Sequence, residues 1–168
     1  MTKLIATVFF FSFAANAQHT HNMGHNNQVT NPLKAIEADK RKPLPLLEFM
    51  AEHQKKNMRE HLEAIRDIVG GYANKDFKKI KDAGLRLGSS PQMNMMCDHM
   101  GKGAPGFTPM ALQMHKNADK IVEAADKKDF NAVVLATERT LQSCTACHAN
   151  YKQQIVSEEE WNKMVSKK

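Results

Sequence analysis

Proline and glycine are sparse, at six and eight in 168 residues. β-branched runs are scarce as well, so a domain built from many strands and tight turns is excluded and helices are indicated. Three cysteines cannot form a closed disulfide framework. Aromatics beyond phenylalanine are few: one Trp and two Tyr, against eleven Met. No arginine-rich block or aromatic-interleaved basic stripe occurs, so nucleic-acid binding is not expected. The net charge of +6 is spread along the chain. No later stretch reaches the roughly 20 apolar residues that cross a bilayer, so stable membrane insertion is not expected. Hydrophobic residues at 42% and charged residues at 25% suit one globular domain.

Residues 1–17 read as an export signal. Lys3 gives the positive start, Leu4 to Ala15 the apolar run, and Ala15-Asn16-Ala17 the cleavage site. The mature chain then begins at Gln18, with no cysteine there to carry a lipid. A soluble product outside the cytoplasm is expected, in the periplasm of a Gram-negative cell. Residues 18–42 read as a polar arm with a short helical piece at Leu33–Lys40. Its His19, His21 and His25 suit a flexible tail or a loose metal contact.

The domain is expected over residues 43–168. The first helix spans about Leu46 to Val69 and stops at Gly70-Gly71. A second covers Lys75–Leu87, and Gln92–Met100 adds a turn or two. The third begins at Thr108-Pro109 and reaches Lys127. The fourth runs from Asp129 to about Ser157, with a short helix near Trp161. At about 100° per residue, Leu47, Ala51, Gln54, Leu62, Ile65 and Val69 fall near Met58. Phe130, Val134, Thr137, Leu141, Cys144 and Ile155 fall near His148 in the same way. The fold class expected is all-α, an antiparallel four-helix bundle.

Cys144-Thr145-Ala146-Cys147-His148 is C-x-x-C-H, the attachment site of a c-type haem. Two thiols one helical turn apart reach the vinyl groups along one porphyrin edge, and the next residue brings imidazole to the iron. A redox dithiol would want a βαβ setting. A closed zinc site would want two further ligands. One covalent haem c is therefore expected on Cys144, Cys147 and His148.

The motif near the C-terminus, continued as Cys144–Lys152 (C-T-A-C-H-A-N-Y-K), resembles the class II c-type cytochromes, the cytochrome c′ family. The resemblance covers about Leu46 to Val156. It implies haem between the helices, His148 as proximal ligand and a distal face from the first helix, at Met58. Met58 then either binds iron, as in a low-spin His/Met carrier, or lids an open iron that captures nitric oxide or carbon monoxide, or simply packs. His61 and His53 are rival ligands. The family's frequent Arg four residues before the distal position is Gln54 here, which leaves Lys55 or Lys152 as partner for a haem propionate. Tyr151 is expected against the porphyrin edge. Homodimers through the first two helices are common in that family.

Met93, Met95, Met96, Cys97, His99 and Met100 lie outside the family pattern. Cys97 is read as a buried thiol, an intermolecular disulfide or part of a copper-handling set of soft donors. The leading expectation is an exported monohaem electron carrier that is not an enzyme. Its basic surface would favour acidic redox partner proteins.

Overall fold

The computed structural model describes residues 39–166. The export signal and most of the polar arm, with residues 33–38 of its expected helical piece, lie outside them; Asp39 and Lys40, the end of that piece, are not helical. The described chain is mainly helical, with six helices and one pair of short strands. Strand β1 is Lys42–Leu46, followed by α1 (Glu48–Ala73), α2 (Phe77–Leu87), α3 (Pro91–Gly101) and α4 (Phe107–Asp126). Then come α5 (Phe130–Asn150), β2 (Tyr151–Ile155) and α6 (Glu158–Val165).

Helix α1 does not stop at the glycine pair but continues to Ala73. Gly71 serves packing rather than termination: a Cβ there would lie 2.7 Å from Ile80 Cγ1 of α2. The helix is closed by Asn74, whose side-chain Nδ2 donates to the Gly70 carbonyl at 2.7 Å. Asp76 caps α2 through Lys79 N at 2.9 Å, and Asp129 caps α5 through Ala132 N at 2.9 Å. Three full turns form α3, capped by Ser90 with Pro91 in the first turn. The start of α4 is Phe107, after a left-handed Gly106, so Thr108 is not its cap. The Thr108 hydroxyl donates instead to the Cys97 carbonyl at 3.3 Å.

Most of one core cluster lies where α2 packs on α1 and α4, and α4 on α5. Ile68, Ile80, Leu87, Ile121 and Val133 are its fully buried large residues. A second cluster gathers Leu44, Leu46, Met50, Phe107, Tyr151 and Trp161 around the strands.

The fourth helix ends at Asn150, seven residues short of its expected end at Ser157. Tyr151 takes an extended backbone, and β2 pairs parallel with β1 in the register Lys42↔Tyr151 to Leu46↔Ile155. Tertiary packing overrides helix propensity here: Tyr151 is buried edge-on against Phe107, ring centroids 5.6 Å apart. Pro43 and Pro45 are tolerated because β1 has a partner on one side only. Ile155 therefore lies on β2 and not on the helical stripe assigned to it.

Candidate functional site

Helices α1 and α5 are linked at both ends. At one, Tyr72 meets Phe130; at the other, β1 pairs with β2. Between those ends, the apolar stripes expected to be buried are partly open. Met58 is 38% exposed, Leu62 69% and Leu141 41%. Val69 and Val134 are exposed as well, a correction to both stripes. An apolar cavity of about 400 Å³ lies there, walled by α1, α3, α4 and α5. Met58, Ile65, Leu141 and Phe107 line it together with Cys144, Cys147 and His148. A second, more polar cavity of about 640 Å³ shares Met58, Arg59, Phe107, Cys147 and His148 with it. It adds Arg41, Lys55, Tyr151 and Lys152. These volumes fall in the range of cofactor sites.

The C-x-x-C-H segment occupies the last two turns of α5. Its backbone is held by the chain's own side chains. Asn150 Nδ2 donates to the Ala146 carbonyl at 2.8 Å, and Arg41 Nη1 to the His148 carbonyl at 3.2 Å. The Tyr151 backbone N–H donates to the Cys147 carbonyl. Both thiols are free and half-buried. Burial pushes each above its ordinary value, with Cys144 adding to the rise at Cys147. They are therefore neutral thiols at neutral pH. His148 is exposed and borders both cavities. Met58, across from it on α1, borders both as well.

Tyr151 is buried and lines the polar cavity, and its hydroxyl is partnered within the chain. It donates to the Pro105 carbonyl at 2.8 Å. Lys152 also lines that cavity, with its ammonium on the Asp39 carbonyl at 3.0 Å and 3.7 Å from the Asp39 carboxylate. Lys55 is 2.6 Å from Glu52. Gln54 is buried and accepts from Gln153 Nε2 at 2.6 Å. Its role is to tie α1 to β2.

Several site residues were not anticipated. Arg59 borders both cavities and adds a cation to their shared wall. Its place beside Met58 in the chain was the available signal. Asp39 and Arg41 were assigned to the polar arm; they are fastened instead to Lys152 and to the His148 carbonyl. His115 is fully buried in the apolar cavity, its Nδ1–H donating to the Leu87 carbonyl at 2.7 Å. Its ring stands edge-on to His61 with centroids 5.6 Å apart. Burial, then the neighbouring His115, pushes His61 down to about 4. Burial lowers His115 too.

Cys97 is 3% exposed on the cavity wall, and burial pushes its thiol up to about 11. That burial shields it from a second chain and removes the intermolecular-disulfide reading. His53 is exposed on α1 and lines neither cavity.

The donor set fits a haem c on its chemistry: two neutral thiols and an imidazole on one helical end, an apolar slot, and cations at the polar mouth. Among the described residues, no group of three or more His, Cys, Asp or Glu converges as a competing metal cage. No described helix is long and apolar enough to cross a membrane. Comparison of the chain with protein-family models, with curated proteins and with solved structures found no match.

Proposed function

We propose that this chain is an exported, periplasmic c-type cytochrome that carries one covalent haem in an antiparallel four-helix bundle and passes single electrons between redox proteins. The observation that carries this reading is the convergence of Cys144, Cys147 and His148 with Met58 on one apolar cavity. When bound, the haem supplies a one-electron iron couple. Cys144 and Cys147 would hold it through thioethers, and His148 would bind the iron. Met58 would be a second iron ligand in the carrier form. Ile65, Leu141 and Phe107 would give the slot an apolar lining, which raises the weight of charge inside it when the haem is bound. Arg59 and Lys152, which line the more polar cavity, would pair with the haem carboxylates. The basic surface steers acidic partners by weak, salt-sensitive contacts.

A second reading uses the same cavity, with Met58 packed beside the iron instead of bound to it. In that reading the sixth position is open and the protein captures nitric oxide or carbon monoxide.

The test is mass spectrometry of the denatured protein after expression in a host with c-type haem attachment. A retained tetrapyrrole mass, lost in Cys144→Ala/Cys147→Ala, supports the reading. An unmodified polypeptide overturns it. The reduced absorption spectrum then separates the two forms: low-spin for the carrier, high-spin and carbon-monoxide-sensitive for the gas binder.

A further inference from the structure

The His148 ring has no hydrogen-bond partner among the described residues. A metal-binding histidine is commonly oriented by a hydrogen bond at its second ring nitrogen. Here the direction of the imidazole has to come from the backbone that carries it. That backbone lies in the last turn of α5, which ends two residues later at Asn150. The His148 carbonyl is thus one of the four that a helix end leaves without an intrahelical partner. Arg41 supplies the partner, with Nη1 donating at 3.2 Å. A cation there also meets the negative end of the helix dipole.

Arg41 is itself pinned. Its Nε and Nη2 donate to Asp39 Oδ1 and Oδ2 at 3.0 and 2.8 Å, and its backbone N–H donates to Oδ1 at 3.1 Å. Two parallel bonds fix the plane of the guanidinium and leave Nη1 for α5. Lys152 closes the ring from the other side, through the Asp39 carbonyl and carboxylate. The hydrogen bonds from Arg41 hold the Asp39 carboxyl well below the usual carboxylate range, so the pin stays charged in mild acid. Asp39, Arg41, His148 and Lys152 all line the polar cavity.

Both members of the Asp39–Arg41 pair are exposed, so it adds little to global stability. Placement is what it can supply. We propose that Arg41, pinned by Asp39, is a positioning residue for His148: it fixes the last turn of α5 and with it the direction of the imidazole. A lysine could not serve, because a point charge cannot span both Asp39 oxygens and still reach the carbonyl. The inference rests on the reading of His148 as an iron ligand, but the turn can be measured without haem.

The test uses the full mature chain, first expressed without haem attachment, and follows amide hydrogen exchange. In Arg41→Gln, Arg41→Lys and Asp39→Asn, the end of α5 should exchange at least threefold faster than in the wild type. Amides of α2 and α4 should keep their rates. Arg86→Gln, which removes an exposed guanidinium paired with Asp67, should leave the end of α5 unchanged. In the haem-loaded protein, the g values of the oxidised iron should shift or broaden in the first three variants and not in Arg86→Gln. Wild-type exchange in Arg41→Gln would overturn the proposal, and so would rescue by Arg41→Lys. A speed-up spread evenly over α2 and α4 would also overturn it, by showing a loss of stability and not of placement. Because exchange is read without haem, its failure is distinct from a failure of haem attachment, which the mass of the polypeptide reports.

Discussion

Tyr72, near the end of α1, stands edge-on to Phe130 at the start of α5, with ring centroids 5.5 Å apart and planes at 89°. Phe130 is also stacked on Phe77 of α2 at 4.0 Å. One ring thus joins three helices at the end away from the C-x-x-C-H motif, and lets α1 and α5 stand apart over the slot without losing their alignment. Phe130→Ala removes both ring contacts and should cost about 3 kcal/mol. Urea unfolding checks this; a loss below about 1 kcal/mol would show that the junction bears little of the stability.

Met58 is the residue on which the electron-carrier and gas-binding forms divide. In the carrier form, Met58→Ala should convert the reduced spectrum from low-spin to high-spin and open the iron to carbon monoxide. An unchanged spectrum would remove Met58 as a ligand. Leu62 lines the same wall one turn on, so Leu62→Ala is the matched control and should not change the spin state.

Acid should destabilise the protein through His61. Its folded-state value is about 4 against an ordinary 6.5. The unfolded chain therefore binds the proton first as pH falls. The contribution is fully present above pH 6.5 and is lost as pH drops toward 4, by about 3 kcal/mol for His61. His115, lowered by burial, acts in the same direction. Urea midpoints between pH 7 and 4 should fall steeply in the wild type and less in His61→Leu. Parallel profiles for the two would refute the assignment.

Gly106 has φ +89°, and a Cβ there would lie 2.9 Å from Tyr151 Oη. Gly106→Ala strains the turn and displaces the hydroxyl from the Pro105 carbonyl. The expected cost is about 2 kcal/mol. Tyr151→Phe loses the hydrogen bond alone and should cost about 1 kcal/mol. Thermal unfolding of both variants orders the two effects; a cheaper Gly106→Ala would contradict the crowding.

The helical character and the start of α5 at Asp129 were legible because they are local. Capping and helical periodicity are written within a few residues of each other. What was not legible depends on distant partners. Nothing near Tyr151 announces that α5 must stop there; the stop comes from Phe107, Pro105 and a proline-bearing strand far earlier in the chain. The glycine pair was read as a terminus because Gly71's actual neighbour, Ile80, belongs to the next helix. The stripes on α1 and α5 were correctly periodic but not buried at Leu62 and Leu141, since periodicity gives a face and not what covers it. Arg59 and His115 are ordinary helical residues until the cavity gathers them.

The β1–β2 pairing joins Lys42 to Tyr151, nearly the whole described chain apart. Closing so large a loop makes this pairing among the entropically slowest contacts of the described residues. The helices can therefore assemble while the C-terminal end of α5 is still accessible from outside. A newly made chain would keep its two C-terminal thiols open to reagents in solution until this last latch forms.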